Sequence, residues 1–387
     1  MKKTIIITTG GTGGHIFPAQ ELAKKLASNG SRVVVLGDRN YAKYHDQNSS
    51  YTLKIINSSQ IKKSPLHLSL AAFKISLGVL QALFWLIRYR AKTIVAFGGY
   101  ATFPILAAAI ILRKNIILHE QNAHLGKVNR ILAKFSTQIA LSYKKTDGIS
   151  DEFYSKTIFV GNPIRDEILE LSKKDYILPD LSRENKEAEN MGYNVLLASQ
   201  FKDDSSVNYE SFNILIIGGS GGAKIFSDIL PKAFFNLRDE LKGKVSLTQQ
   251  CRADDINKTS KKYKSFGIAV RISHFFEDMA GELSRAHLVI ARSGSSSIAE
   301  FSAAKKPMIL IPFAKSADNH QMKNANETQK SGGAIVIEEC DFTINKITAE
   351  LEKLIDNPAI LQKMSLNAFK AANLDAALNL TKIVEEC

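Results

Sequence analysis

Cysteine is scarce in this chain. Its 387 residues hold three, Cys251, Cys340 and Cys387, and no CxxC pair. Neither a disulfide framework nor a zinc site is indicated, and the chain fits a reducing compartment. Asp-x-Asp occurs nowhere, so a diphosphate bridged by a metal in that motif is not indicated either. His119-Glu120-Gln121-Asn122 stops short of the HExxH zinc motif, because Ala123 stands where the second histidine belongs. The apolar run Ile5-Ile6-Ile7 is too short for a signal peptide, and a glycine-rich loop follows it where a cleavage site would lie. There is no interleaved stripe of arginine and aromatic residues, so nucleic acid is not an expected partner.

What is present describes an ordinary globular chain, 45% hydrophobic and 23% charged, long enough for two domains. Fifty-one basic against 38 acidic residues leave a net charge of +13. That balance favours an anionic partner, or reflects a lysine-rich composition throughout.

Short β-branched runs alternate with helical stretches from Thr4 to Leu141: Thr4–Thr9, Arg32–Leu36, Thr93–Phe97, Asn115–Leu118 and Thr137–Leu141. Runs buried on both faces and separated by helices predict a parallel sheet in a doubly wound α/β domain. The alternation stops near Ile164. Ser172–Ser211 is polar apart from Val195-Leu196-Leu197 and reads as a linker and surface insertion. It restarts at Asn213–Ile217, with strands expected at Val245–Gln249, Ile268–Ile272, Leu288–Ala291, Met308–Ile311 and Ala334–Ile337. The expected division is 1–163, a linker and surface insertion over 164–211, and 212–387, with packing of the last helix back on the first domain as the alternative for its end. Two such domains place a ligand at the carboxyl ends of the strands.

Each half opens with a strand, a glycine loop and a helix. Gly10-Gly11-Thr12-Gly13-Gly14-His15 lets backbone approach a ligand and offers a helix N-terminus to an anion. It is not a dinucleotide fingerprint, because Ile16 stands where the last glycine belongs. Asp38, after the second strand, keeps a ribose-binding dehydrogenase in view. The second loop, Gly218-Gly219-Ser220-Gly221-Gly222-Ala223-Lys224, lacks the Gly-Lys-Ser/Thr of a P-loop. Arg292-Ser293-Gly294-Ser295-Ser296-Ser297 reads as a loop entering a helix. Glu300 follows one to two turns on, where a carboxylate accepts ribose hydroxyls. Asp318-Asn319-His320-Gln321 supplies the paired donors and acceptors that sugars need.

Together with Phe17-Pro18-Ala19, Gly98-Gly99-Tyr100 and Gly161-Asn162-Pro163-Ile164-Arg165, these motifs resemble, in order and spacing over nearly the whole chain, the MurG family of peptidoglycan N-acetylglucosaminyltransferases. The resemblance implies a GT-B fold, two Rossmann-like domains facing a deep inter-domain cleft. It implies inverting transfer from UDP-N-acetylglucosamine to the C4 hydroxyl of undecaprenyl-diphospho-N-acetylmuramoyl-pentapeptide (lipid I). No cofactor and no metal-ligating residue is expected, and assistance by a divalent ion stays open. The donor contacts it implies are Thr12, Gly13, Gly14, Asn122 and Arg165, then Ser220, Phe276, Ser295, Ser296, Ser297, Ile298, Ala299, Glu300 and Gln321. Tyr100, His119 and Asn129 would lie on the acceptor side. His15 is the first candidate for general base, since an ordinary histidine is available in neutral form near pH 7; Glu120 is the second. A loop-shaping hydrogen bond is the other reading of His15. Three departures stand out: Gly221 replaces a common glutamine, Ala291 a frequent cysteine, and Ser172–Ser211 is longer than usual.

A lipid-linked acceptor requires contact with a bilayer, and the implied location is peripheral, on the cytoplasmic face of the bacterial inner membrane. Leu66–Ile87 has the length and apolarity of a span. However, His67, Lys74, Gln81 and Arg88 recur every seventh residue, which predicts one polar stripe beside a wide apolar face, and so a packed or interfacial helix. Lys74, Arg88 and Arg90 are candidates to meet an anionic membrane surface.

Overall fold

Ile5, Ile6 and Ile7 are all fully buried, so strand β1 (Thr4–Thr9) has protein on both faces. The structure, a computed structural model, describes residues 3–46, 48–59, 65–179, 181, 195–197, 211–219 and 221–387. It divides into two units, Met1–Asp166 with Asn373–Cys387, and Glu167–Ala372.

In the first unit β1 is joined by β2 (Arg32–Gly37), β3 (Thr52–Ile55), β4 (Thr93–Ala96), β5 (Asn115–Glu120), β6 (Gln138–Leu141) and β7 (Thr157–Phe159). The sheet order is β3-β2-β1-β4-β5-β6-β7, parallel throughout. Alternation along each strand sorts side chains into two cores. Ile5, Ile7, Val33, Val35, Val95 and Ile117 pack on one face with the helix Gly13–Ser28. Ile6, Val34, Ile94, Ile116 and Leu118 pack on the other with the helix Phe103–Ile111. The last helix, Ala376–Glu386, belongs to this unit and buries Leu380, Ile383 and Val384 in the first of these cores.

The second unit repeats the plan with β8 (Val195–Leu197), β9 (Phe212–Ile217), β10 (Val245–Gln250), β11 (Val270–Ser273), β12 (Leu288–Ala291), β13 (Met308–Leu310) and β14 (Ala334–Val336). Its order is β14-β13-β12-β9-β10-β11-β8, again parallel. The linker expected over 164–211 is corrected in two places. Tyr176 is buried in the second core and its hydroxyl donates to the His287 carbonyl at 2.8 Å. Val195-Leu196-Leu197 pairs with β11 as an edge strand, which satisfies backbone groups on that side of β11.

In the helix Pro65–Arg88 the polar stripe expected from the sequence is divided. Its polar stripe does not form one solvent face. Gln81 turns inward, where its Oε1 accepts the Asn57 N–H at 2.9 Å, and a Cβ on Gly78 would collide with the Asn57 carbonyl. Ala71, Ala82 and Leu86 are buried beneath it. The outer face carries Phe73, Leu77, Leu80, Phe84 and Ile87, all exposed, at a spacing that makes one apolar stripe. Trp85 is half-buried, stacked on Tyr89 with centroids 5.5 Å apart, and Lys54 lies 4.9 Å from its ring.

Candidate active site

A doubly wound sheet opens a crevice where successive connections leave a central strand in opposite directions. In the first unit that point lies between β1 and β4, and the loops Gly10–His15 and Gly98–Tyr100 flank it. The first loop is laced from outside. Asp38 Oδ2 accepts the Gly11 N–H at 3.2 Å and the Tyr100 hydroxyl at 3.1 Å, while Oδ1 accepts the N–H groups of Asn40 and Tyr41. With all four of its acceptor sites taken, Asp38 has no lone pair left for a ribose, and the dehydrogenase reading loses its anchor. Thr12 N-caps the helix Gly13–Ser28 without a side-chain cap, and no acidic residue occupies the first turn. Such an N-terminus favours an anion.

His15 sits half-buried at the end of this loop. Its Nδ1 is 2.8 Å from Gln121 Oε1. The Gln121 amide nitrogen is in turn 2.9 Å from His119 Nδ1, and His119 Nε2 is 3.1 Å from the Gly161 carbonyl oxygen. His119 is fully buried, and desolvation drives its pKa down to about 4, so it is neutral. Glu120 points the other way. Its Oε1 accepts the backbone and side-chain N–H of Asn122 at 3.0 and 3.1 Å, and its Oε2 accepts Gly126 N–H at 2.8 Å and Asn129 Nδ2 at 2.9 Å.

In the second unit the crevice lies between β9 and β12. The loop after β9 makes a turn closed by the Gly222 N–H on the Gly219 carbonyl at 2.9 Å, and the helix Lys224–Phe235 starts at Ala223 with no side-chain cap. Beyond β12, Arg292 Nη1 donates to the carbonyls of Ile311 and Pro312 and to Glu339 at 2.8 Å, tying three neighbouring loops together. Ser293 Oγ donates to the Gln321 carbonyl at 2.7 Å, and Asn324 donates to the Ser293 carbonyl at 3.1 Å. The helix Ser295–Ala303 begins from Gly294 without a side-chain cap and carries Glu300 in its second turn. Gln321 Oε1 accepts the Phe313 N–H at 2.9 Å, which leaves its amide NH₂ to other partners. Asp318 and Asn319 take left-handed backbone with φ of 49° and 54°, a sharp bend before the helix His320–Lys330.

Residues 5–141 match the family described as "Glycosyltransferase family 28 N-terminal domain", and residues 213–380 match "Glycosyltransferase family 28 C-terminal domain". A Caulobacter vibrioides protein named "UDP-N-acetylglucosamine--N-acetylmuramyl-(pentapeptide) pyrophosphoryl-undecaprenol N-acetylglucosamine transferase" is 33% identical over 387 residues, covering 100% of this chain and 99% of its own. A Phenylobacterium zucineum protein of the same name is 32% identical over 387 residues, with 100% and 99% covered. The chain belongs to the MurG family of glycosyltransferases. Among solved structures, Acinetobacter baumannii MurG has a TM-score of 0.72 over 100% of both chains at 23% identity. The Neisseria meningitidis UDP-GlcNAc 2-epimerase bound to UDP-GlcNAc has a TM-score of 0.66 at 14% identity, covering 99% of this chain and 100% of that one. At these identities the likeness is one of fold.

Several positions implied by the MurG-family motifs land differently from their expected roles. His119 and Asn129, expected on the acceptor side, are buried at 0% and 2% exposure. Asn129 is buried from the helix Lys127–Leu132, and His119 by the length of β5. It runs through Glu120, and His119 and Glu120 pair with Ala140 and Leu141 of β6 rather than entering a loop. Glu120, the second candidate for base, has four donors on its two oxygens, which tie it to the 120–129 loop. Tyr100 stays near the surface with its hydroxyl held by Asp38. Thr12 and Gly14 are exposed, Gly13 is packed under Phe17, and Asn122 is half-buried. Arg165 stacks over Phe17 at 5.0 Å within the first unit. Ser295, Ile298 and Glu300 are buried along the helix Ser295–Ala303, while Ser296, Ser297 and Ala299 are half-buried. The Phe276 ring is buried, with Arg271 5.4 Å from its centroid, so its backbone is the part suited to a base. Ser220 lies outside the described residues. Gln121 had no role assigned from sequence, and only its place inside the His119–Asn122 motif marked it.

Proposed function

We propose that this MurG-family glycosyltransferase transfers N-acetylglucosamine from UDP-N-acetylglucosamine to the C4 hydroxyl of lipid I, forming lipid II with inversion at the anomeric carbon. The observation that carries this reading is 33% identity, over the whole length, to a transferase named for that reaction. The local chemistry supports it. On the second unit, Glu300 grips the ribose, the backbone near Phe276 meets the uracil, and Gln321 reads the sugar hydroxyls. On the first unit, His15 is the general base. The acceptor oxygen bonds to the anomeric carbon as the bond from that carbon to the diphosphate breaks. The acceptor proton passes to His15, and UDP leaves with the bonding pair. Uncapped helix N-termini oppose its negative charge with dipoles already fixed before reaction.

The acceptor is met at an anionic membrane surface, on the cytoplasmic face of the inner membrane. The helix Pro65–Arg88 supports this with its apolar stripe and the exposed cations Lys74 and Arg88, joined by Arg90 just past its end. Because its inner face is packed, docking along the surface suits it better than spanning.

Transfer of radiolabelled sugar from UDP-N-acetylglucosamine to a lipid I analogue tests the proposal. Labelled product that is a substrate for β-N-acetylglucosaminidase is the expected result. Donor binding without turnover would leave a nucleotide-sugar sensor in its place.

A further inference from the structure

We propose that Gln121 and His119 are positioning residues that hold His15 in the tautomer with hydrogen on Nδ1, so that Nε2 presents the lone pair that takes the acceptor proton. The inference rests on the reading of His15 as general base.

The argument starts at Gly161. Its carbonyl oxygen can only accept, so His119 Nε2, 3.1 Å away, must donate. A neutral imidazole carries one N–H, so His119 Nδ1 is an acceptor, and burial keeps that ring neutral. The group facing His119 Nδ1 at 2.9 Å is the Gln121 amide, and only its NH₂ can donate there. The same NH₂ lies 3.2 Å from the His119 carbonyl, so a flipped amide would lose two hydrogen bonds and set oxygen against two acceptors. Gln121 Oε1 therefore faces His15, and an amide oxygen only accepts. His15 Nδ1, 2.8 Å away, must carry hydrogen.

The arrangement suits both protonation states of His15. Nδ1–H donates to Gln121 before and after Nε2 gains a proton, so the relay need not reorganise during transfer. The Nε2 edge of the ring runs beside Gly98 and Gly99. A Cβ on Gly98 would sit 3.7 Å from Cε1 and one on Gly99 3.6 Å from Cδ2, covering that edge. Both glycines have positive φ, 79° and 82°, which also disfavours a side chain there.

The test is a long-range ¹H–¹⁵N spectrum of the full chain labelled at its eight histidines, with His15 assigned through His15→Ala. The expected result at neutral pH is hydrogen on Nδ1 of His15 and on Nε2 of His119. Hydrogen on Nε2 of His15 overturns the proposal. Two variants add kinetic readouts. Gln121→Met should lower kcat by about 10- to 100-fold with the KM for UDP-N-acetylglucosamine unchanged, the usual scale for loss of a partner that orients a histidine. A kcat within twofold of wild type counts against the relay. Gln121→Glu sets a carboxylate beside His15 Nδ1 and should move the acid limb of the kcat profile to higher pH, a shift that a purely structural side chain would not produce. If Gln121→Met fails to fold, the wild-type spectrum decides alone. The two readings fail separately. Hydrogen on His15 Nδ1 with full activity in His15→Ala removes the base and keeps the relay, and the reverse pair of results removes the relay and keeps the base.

Discussion

Gly10 and Gly218 each follow the central strand of a parallel sheet, and each opens a loop of like composition, yet the two loops are built differently. Around the first, side chains crowd in, from distant segments at Gly10 and from the following helix at Gly13. A Cβ on Gly10 would lie 2.6 Å from Ala101 Cβ and 2.8 Å from Asp38 Cγ, and one on Gly13 would lie 2.9 Å from the Phe17 ring. In the second, a Cβ on Gly222 would likewise collide with Arg252 Cγ, but Gly219 and Gly221 at its tip have nothing within 4 Å of an added Cβ. Gly10 and Gly13 let protein pack against backbone, whereas Gly219 and Gly221 have open space where a Cβ would stand. The first arrangement gives a fixed mount for His15, and the second a surface on which a diphosphate can lie.

The sharpest way to break that contrast is His15→Ala. A lost general base should lower kcat by about 10²–10⁴ while UDP binding by the other unit is spared. Steady-state kinetics beside UDP titration check this, and a fall of less than about fivefold would make His15 a loop-shaping residue.

Acid comes next, because among the described residues each unit buries one neutral histidine. Desolvation holds His119 and His287 at about 4, against an ordinary value near 6.5, with Lys306 adding to the effect at His287. The unfolded chain binds protons more tightly than the folded one between these values. Stability is therefore full above pH 6.5 and falls as pH drops toward 4, on the order of 3 kcal/mol for each histidine. Urea midpoints at pH 7 and pH 4.5 measure the loss. His287→Asn should reduce it in the second unit alone, while acid sensitivity unchanged by that variant would place its source elsewhere.

Glu300→Ala is the counterpart of the His15 variant on the open side. Loss of a charge-assisted hydrogen bond of ~1.5–3 kcal/mol should raise the KM for UDP-N-acetylglucosamine by about 10- to 150-fold, with folding intact. An unchanged KM would remove Glu300 from the donor site. The glycines themselves give a paired test. Gly10→Ala should cost about 1–3 kcal/mol of stability through overpacking, and Gly221→Ala no more than about 0.5 kcal/mol. Equal losses in thermal melts would erase the distinction between the loops. The smallest effect concerns the exposed helix of the first unit. Arg88→Gln should weaken co-sedimentation with anionic vesicles about fivefold, at about 1 kcal/mol per basic residue near the surface, and high salt should weaken the wild type too. Salt-independent binding would leave the apolar stripe as the only anchor.

Legibility in the sequence followed burial. Strands with both faces covered, such as β1 and β12, carry continuous apolar runs and were readable within a residue or two. β3 and β7 were missed, because edge strands are half-exposed. Lys54 occupies a strand position in β3, and Ile158 and Phe159 in β7 are exposed. The three apolar residues of β8 had too little length to signal a strand inside a polar stretch. The site showed the same limit. His119, Glu120, Gln121 and Asn122 are four adjacent polar residues and read as one surface motif. The pleat of β5 sends His119 inward and turns Glu120 toward the 122–129 loop, and Gln121 bridges His119 to His15 across 106 positions of chain.

Composition and local order therefore determined a great deal: two parallel α/β units, a glycine loop at the head of each, the position of Glu300 early in a helix, and the family itself. These are properties of neighbouring residues, set by periodicity and by which side chains tolerate a given backbone. Tertiary structure alone decided which polar groups are spent on the fold and which remain for chemistry. Asp38 and Glu120 are both carboxylates beside a loop, and both have every lone pair taken by backbone or side-chain donors from elsewhere. His15 and His119 are the same residue type in the same network, yet one is half-buried at the site and the other is sealed beneath it. A hydrogen bond has a partner, and when that partner comes from a distant segment, only the folded chain specifies where the free electron pair is left.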